Sequence, residues 1–178
     1  KLVEKDGSFS QYSLNYHRMA LDTFSIVEVW LRSLNLESLP PTFYNSAVQA
    51  TSWLYQMVSP ACGDGPNLGA NDGSLILQLT DSSYRDYRPS IQLASALFEG
   101  RRAYSKTGLW DLHLAWLGIT NYESDPPRYL NCDYDFGGYK ILRSADANVI
   151  FRYPKFRYRP SQADAMHIDL WVNGINVL

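Results

Sequence analysis

Apolar residues recur every three or four positions between Tyr12 and Leu34, in a stretch that contains no proline and no glycine. This spacing places apolar side chains on a helix face, and two stripes can be traced, so the predicted helix makes contacts on two sides. A stretch with the same spacing follows Pro40-Pro41, and shorter ones begin at Pro89 and Leu109. Because proline is well tolerated in the first turn of a helix, the sequence predicts four helices before about residue 120.

After residue 130 the apolar positions alternate with a period of about 2, as expected for strands. Segments 138–143 and 148–153 are predicted to form a hairpin. Residues 165–172 also alternate, and one face is predicted to be the core: Met166, Ile168, Leu170 and Val172. Asn173-Gly174 is typical of a tight hairpin turn that leads into a further strand. The predicted fold class is therefore α+β.

Composition narrows the functional classes. Of the 178 residues, 46% are apolar and 14% are aromatic, which is enough to bury a folded core. A net charge of −2 argues against nucleic-acid binding, because phosphates require a surface rich in cationic side chains. No apolar run approaches the roughly 20 residues of a membrane-spanning helix, so no membrane span is predicted. Two cysteines are too few to define a disulfide scaffold.

The first candidate for chemistry is the turn and helix start that carry Gln11, Tyr16 and His17. A phenol can donate a proton or, with a lowered pKa, accept one, and an imidazole titrates near neutral pH. These residue types suit an acid–base site for a polar substrate. The alternative is structural, with Tyr16 as an aromatic residue of an amphipathic helix and His17 as a hydrogen-bonded interior residue.

The second candidate is His167-Ile168-Asp169 on a predicted strand. Side chains two residues apart on a strand point to the same face, so Asp169 can orient the imidazole of His167, or the pair can hold a metal. Trp171 shares this face, which is unusual for a plain solvated surface. We expect the face to meet solvent, a cleft or a second domain, although a His-x-Asp pair also arises by chance.

The third candidate is the loop 67–73, which is rich in turn-forming residues and includes Asn71 and Asp72. The polar and aromatic residues that follow it belong to the same candidate: Asp81, Tyr84, Arg85, Asp86, Tyr87 and Arg88. Amide and guanidinium groups are common in carbohydrate recognition, and Arg88 can clamp a carboxylate with two hydrogen bonds. The alternative is again structural, because asparagine makes turns and an arginine at a helix start often caps the helix or pairs with a nearby acid.

Three segments, in a fixed order along the chain, carry a family resemblance. They are DGSFSQYSLNYHRMALD near the start, NLGANDGS followed by YRDYRPSIQLASALF in the middle, and RYRPSQADAMHIDLWVNGINVL at the end. Together they resemble the heparinase II/III-like family. The resemblance implies that residues 1–130 are the C-terminal part of an incomplete α/α-toroid and residues 131–178 the first strands of an antiparallel β-sandwich. The chain is expected to be a fragment of a longer bacterial protein, for which a periplasmic or secreted location is favoured.

The resemblance further implies a polysaccharide lyase that cleaves a uronic-acid glycan by β-elimination. A base removes the proton at C5, the carboxylate stabilises the resulting anion, and the C4–O bond breaks without addition of water. At the positions that match the family, Tyr16 serves as acid or acid/base and His167 as its partner. The expected ligand is an acidic polysaccharide, and the remaining candidates are expected to contact it: Gln11, His17, Asn71 and Arg88.

Two departures from the family pattern leave alternatives open. The last family motif often has two histidines two residues apart, whereas Ala165 occupies the first of these positions here. In related members the second histidine can belong to a structural metal site, so binding of a divalent metal such as zinc is an alternative role for His167. The group that neutralises the uronate carboxylate is expected upstream of Lys1.

The alternative function is a non-catalytic glycan-binding or cell-envelope assembly protein on a lyase scaffold, because a fold does not by itself establish an activity. The 13 tyrosines and 5 tryptophans can supply surfaces on which sugars stack. A common cleft for Tyr16 and His167 would favour the lyase, and a wide separation would favour the binding protein.

Overall fold

Four helices precede the sheet in the computed structural model, which describes residues 2–157, 162 and 164–178. They are α1 (Leu14–Ser33), α2 (Pro41–Met57), α3 (Arg88–Ala94, continued by a π-helical turn over Ser95–Glu99) and α4 (Leu112–Trp116, after a 3₁₀ turn over Leu109–Asp111). The predicted helices before residue 120 are thus confirmed. Within the described ranges, no helix has the length and apolar character needed to cross a membrane.

Helix α1 begins at Leu14 because Ser13 caps it. The Ser13 hydroxyl accepts a hydrogen bond from the Tyr16 N–H at 3.0 Å and donates one to the Ala70 carbonyl at 2.6 Å. A serine cap typically contributes about 1 kcal/mol to helix stability. The Ser13 hydroxyl also links the start of α1 to the long loop between α2 and α3, which contains Ala70.

One face of α1 forms a core with α2 and α3. Leu21, Leu54 and Ile91, one from each helix, are completely buried, and each such side chain contributes roughly 2 kcal/mol of burial free energy. The second apolar stripe of α1 was predicted to make contacts as well. Its last member, Trp30, is 61% exposed, so in this chain that part of the stripe lies on the surface.

The described strands form one antiparallel sheet in the order β1-β2-β3-β4-β5. Their bounds are Cys132–Tyr134, Tyr139–Arg143, Ala147–Arg152, His167–Val172 and Ile175–Asn176. The predicted hairpin corresponds to β2 and β3, and the Asn173-Gly174 turn joins β4 to β5 as predicted. The α+β class is therefore confirmed. In β3 and β4, Arg152 lies opposite His167.

The prediction of the buried face of β4 was wrong. Asp169 and Trp171 are 1% and 3% exposed, whereas Met166 and Ile168 are largely exposed. An alternating pattern shows that two faces differ but does not show which one meets the next layer. Here the helices cover the side of the sheet that carries Asp169 and Trp171, because Ile150, the partner of Asp169 in β3, belongs to the core shared with the helices.

The helices and the sheet share one core. Tyr139, Ile141 and Ile150 belong to the same buried cluster as Trp53 of α2, whose ring lies 5.3 Å from that of Tyr139 in an edge-on arrangement. Asp6, before α1, also accepts a hydrogen bond from the Phe136 N–H at 2.7 Å. The division into domains 1–130 and 131–178 stays a prediction.

Candidate active site

Tyr16 lies in the first turn of α1, where its partly exposed hydroxyl donates a hydrogen bond to Oδ2 of Asp72 at 3.2 Å. This hydrogen bond, together with the negative charge of Asp72, raises the pKa of Tyr16. The pKa of Asp72 is lowered, chiefly by its hydrogen bonds with Ser74. The phenol is therefore protonated at neutral pH, which suits a group that acts first as a proton donor.

Tyr84 and Asn71 extend the site around Tyr16. The Tyr84 hydroxyl donates a short hydrogen bond to Oδ1 of Asn71 at 2.5 Å, and Tyr84 is close enough to Tyr16 to raise its pKa slightly. Asn71 Oδ1 also accepts from the Gly73 N–H at 3.1 Å, as expected for a side chain that closes a turn. Two phenols, an amide and a carboxylate thus form one polar surface.

Arg18 supports this polar surface from the protein interior. Its side chain is 1% exposed, and its guanidinium donates to the Tyr84 carbonyl and to Oδ1 of Asn15, each at 2.6 Å. The same group lies over the rings of Tyr84 and Tyr87, 4.6 Å from each centroid. Such cation–π contacts gain strength when they are shielded from water. Arg18 therefore fixes the position of Tyr84 relative to α1.

Sequence reasoning missed Arg18 as part of this site. A usable signal existed, since Arg18 lies between apolar positions of α1 that are expected to be buried, and a buried arginine requires partners. Asp72 and Tyr84 belong to the third sequence candidate, but their contacts with Tyr16 and Asn71 could not be derived, because these depend on how the loop folds back onto α1.

His17 lies in the core. It is 1% exposed, its Nε2 is 2.9 Å from the Ala50 carbonyl oxygen, and its ring stacks on Trp53 with centroids 4.6 Å apart. Burial lowers the pKa of His17 to about 4, so the imidazole is neutral at physiological pH. We assign His17 the interior role that was the structural alternative, rather than contact with substrate.

The guanidinium of Arg88 forms an ion pair with the nearby carboxylate of Asp86. Its Nε and Nη2 donate to the two carboxylate oxygens of Asp86, each at 2.8 Å, and its guanidinium lies 4.1 Å from the ring centroid of Trp110. The predicted bidentate clamp is present, but an internal carboxylate occupies it. Gln11 is exposed in the turn before α1 and is placed to meet solvent or a ligand.

His167, the first residue of β4, is oriented by a buried carboxylate. Its Nε2 lies 2.8 Å from Oδ2 of Asp169, whose other oxygen accepts a hydrogen bond from the Asn176 amide. The side chain of His167 is 32% exposed and that of Asp169 only 2%. Asp169 therefore fixes one ring nitrogen of His167, and part of the imidazole remains accessible.

The pair supplies two side chains of types that bind zinc, whereas a structural zinc ion requires four ligands, commonly histidine, cysteine or acidic side chains. In the parts of the chain that the structure describes, no group of three or more such side chains could hold a metal ion. Residues 158–161 and 163, within the last of the three resembling segments, lie outside the described residues.

The loop over Tyr16 also reaches the start of β4. Leu14 N–H donates to the Leu68 carbonyl at 3.2 Å, and the next residue of the loop, Gly69, donates its N–H to Oδ2 of Asp164 at 2.7 Å. The Asp164 carbonyl in turn accepts from the His167 N–H at 3.2 Å. One hydrogen-bonded path therefore connects the start of α1, which carries Tyr16, with the start of β4, which carries His167.

Among solved structures, the chain is similar to a heparinase III with methylated lysines, with a TM-score of 0.63 and 14% identity over 98% of this chain and 25% of that one. It is also similar to a mutant of the heparan sulfate lyase HepC from Pedobacter heparinus, with a TM-score of 0.62, 17% identity and the same shares of each chain. No protein-family model and no curated protein matches the sequence. The chain spans about a quarter of the length of these two structures. The resemblance seen in the sequence is therefore confirmed at the level of the fold, which is that of a segment of heparinase III and of HepC.

Proposed function

We propose that this chain carries part of the active site of a polysaccharide lyase that cleaves a uronic-acid glycan by β-elimination. The observation that carries the proposal is the accessible Tyr16 phenol, hydrogen-bonded to Asp72 at 3.2 Å, within a fold similar to heparinase III. The helical portion is then the C-terminal part of an α/α-toroid, the sheet is the start of a β-sandwich, and the cleft between them holds the substrate.

Tyr16 acts in this proposal as the acid. Asp72 favours the protonated phenol, so Tyr16 enters the reaction with a proton to donate to the C4 oxygen as the C4–O bond breaks. The phenolate that remains regains a proton before the next turnover, and in that step the residue behaves as a base. This cycle gives Tyr16 the combined acid/base role.

His167 acts as the base that removes the C5 proton. An ionised carboxylate can only accept hydrogen bonds, so the contact with Asp169 assigns the ring proton to Nε2 and leaves the Nδ1 lone pair able to accept. The electron pair of the C5–H bond becomes the C4–C5 double bond, and the leaving oxygen takes the proton of Tyr16. Atoms and charges balance without water.

The proposed substrate is an acidic polysaccharide. The two similar structures are named as a heparinase and a heparan sulfate lyase, and the proposal extends the uronic-acid class to this chain. Asn71 and Gln11, both exposed, are the proposed polar contacts to the sugar. His17 and Arg88 contribute through packing and through the pair with Asp86.

The test measures the ultraviolet absorbance of the unsaturated uronate product. Full-length protein is incubated with alginate, with glycosaminoglycans and with other acidic polysaccharides. The Tyr16→Phe variant is expected to lose activity by roughly 10²- to 10⁴-fold, the contribution of a general acid–base group. Tyr44→Phe is the matched control, because the Tyr44 hydroxyl bonds Glu28 at 2.9 Å, away from this site. Absence of absorbance growth on every substrate, or full activity of Tyr16→Phe, contradicts the proposal.

A non-catalytic glycan-binding or cell-envelope assembly protein is the second candidate. A pocket lined by aromatic residues, among them Tyr104, Trp110 and Tyr129, favours it, because sugar rings stack on such faces without any chemistry. Saccharide binding without formation of an unsaturated product would support this function over the lyase.

A further inference from the structure

Two neighbouring pockets lie on the side where the helical portion meets the sheet. Their volumes are about 450 and 470 Å³, and both are lined by Pro60, Ala61 and Tyr129. We call the two pockets together the seam groove. Its wall is closely packed where the β4–β5 turn meets the loop after α2, because a Cβ added to Gly174 would lie 2.6 Å from the Cβ of Ala61.

The first half of the groove offers aromatic faces. Trp110 and Tyr129 line it and are partly exposed, and Tyr55 stacks on Tyr129 with ring centroids 4.2 Å apart. Tyr104, 5.7 Å from Trp110, completes the row. Lys106, an exposed lysine, lines the same half of the groove. Partly exposed rings beside a cation are suited to a ligand that is apolar on its faces and anionic at its edge.

The second half contains a cation that lacks a counterion. Arg143 lies over the Tyr129 ring at 4.7 Å and donates one hydrogen bond to the Gln56 carbonyl. Its Nε has no hydrogen-bond partner among the described residues, and no described carboxylate lies within ion-pair distance of it. Burial lowers the pKa of Arg143. A partly buried guanidinium of this kind is stabilised by an incoming anion.

Polar groups complete this half. Asn148 and Asn173 bring amides to the lining, and Asp146 brings a carboxylate, while Arg143 and Lys106 supply positive charge. Amides and a guanidinium beside stacked rings match a sugar that carries hydroxyls and a carboxylate.

The groove is separate from the candidate active site. Asn148 precedes Arg152 by four residues on β3, and Arg152 lies opposite His167. At about 3.3 Å per residue, this places Asn148 about 13 Å along the strand from the His167 end of the sheet.

We propose that the seam groove binds an acidic oligosaccharide, with the carboxylate of one uronic-acid residue on Arg143 and a sugar ring against Trp110. The class of ligand rests on the proposed function, but the binding requires no chemistry at Tyr16. The groove then holds an acidic glycan at a distance from the point of cleavage.

The experiment uses full-length protein with the Tyr16→Phe substitution, so that ligand is not consumed. Tryptophans are replaced by 5-fluorotryptophan, and the fluorine resonance of Trp110 is identified by its loss in Trp110→Phe. Hexasaccharides from alginate and from heparan sulfate are titrated, beside the same saccharides with their carboxylates reduced to alcohols. The Trp110 resonance shifts when saccharide binds in the seam groove, whereas saccharide bound only near Tyr16 does not change its position.

Binding in the groove predicts a saturable shift of the Trp110 resonance with an acidic hexasaccharide and none with the reduced forms. Arg143→Gln is expected to weaken the apparent affinity about tenfold or more, because it removes a charged hydrogen bond. Ser105→Glu, at an exposed position of the lining, is expected to weaken it without disturbing the core, so the test survives if Arg143→Gln fails to fold. Lys140→Gln, exposed on β2 and outside the lining, is the control.

An unmoved resonance, an equal response to the reduced saccharides, or full affinity in Ser105→Glu would overturn the inference. So would a shift that depends on protein concentration alone, which would assign the groove to a second copy of the chain. Absence of lyase activity together with a saturable shift of the Trp110 resonance would contradict only the proposed reaction. Lyase activity without a shift of the Trp110 resonance would contradict only the proposed binding in the seam groove.

Discussion

The Tyr16 hydroxyl and the Asp72 carboxylate meet at 3.2 Å although 56 positions separate the two residues in sequence. The contact raises the pKa of the phenol and so assigns a protonation state to the site. A carboxylate that accepts a hydrogen bond from the phenol keeps Tyr16 protonated at rest, which is the state in which the proposed elimination begins.

Replacement of Asp72 by Asn should shift the alkaline limb of the pH–rate profile to lower pH. Activity that requires protonated Tyr16 declines as pH rises through the pKa of Tyr16, and removal of the negative charge brings this pKa back towards its ordinary value. The measurement is kcat/KM of full-length protein against pH. Asp81→Asn, at an exposed position, is the control, and an unchanged alkaline limb in Asp72→Asn would show that Tyr16 is not the titrating acid.

Tyr84→Phe should lower kcat/KM about fivefold and lower the free energy of unfolding by no more than about 1 kcal/mol. The substitution removes the 2.5 Å hydrogen bond to Asn71, which amounts to about 1 kcal/mol for a typical bond, and it keeps the ring over Arg18. Steady-state kinetics and urea unfolding separate the two effects. A large drop in unfolding free energy together with unchanged kinetics would assign Tyr84 a purely structural role.

His167→Gln should abolish most of the activity, and Asp169→Asn should reduce it by a smaller factor. Glutamine cannot take up the C5 proton, whereas loss of the Asp169 charge leaves an imidazole that is less well oriented. The comparison needs kcat together with circular dichroism, because Asp169 is buried. If both variants cleave at the wild-type rate, the base must be another group.

Asp22→Asn should remove a pH dependence of stability between about pH 4 and pH 7. Burial raises the pKa of Asp22 from 3.8 to about 7, against the opposing effects of nearby Ser90 and of the Arg18 charge. In this window the unfolded carboxyl is ionised and the folded one is protonated, so stability is lost as pH rises and levels off above pH 7. The loss is on the order of 4 kcal/mol, at about 1.4 kcal/mol per pH unit.

The measurement is urea unfolding of wild type and Asp22→Asn from pH 4 to pH 8. His17 and His113, whose pKa values are lowered to about 4 by burial, contribute the opposite slope below pH 6.5 in both proteins. Their contribution cancels in the difference between the two proteins. The advantage of Asp22→Asn should grow with pH up to 7, and Asp125→Asn, at an exposed position, should show none. A constant difference across the range would refute the shifted pKa.

Local sequence sufficed where structure depends on neighbours along the chain. The helices follow from the spacing of apolar residues, and the β4–β5 turn follows from Asn173-Gly174. Each of these signals acts over a few residues, because helix periodicity and turn geometry are local properties of the backbone. The same is true of the His167-Asp169 pair, two residues apart on one strand.

Contacts between distant segments could not be derived in this way. Whether Ile168 or Trp171 faces inward depends on which side of the sheet the helices cover, and alternation is silent on that choice. Which carboxylate accepts hydrogen bonds from the Arg88 guanidinium, and whether His17 is buried, likewise depend on the residues that surround them after folding.

By itself, the sequence determined the α+β class, the order of the elements and the presence of Tyr16 and His167 at the starts of a helix and a strand. Only the tertiary structure decided that Asp72 binds the phenol, that Arg18 supports Tyr84 and that His17 is interior. The physical reason is that a side chain acquires its pKa and its function from the groups that fold around it. For Tyr16 these groups come from a loop whose path is set by packing across the whole chain.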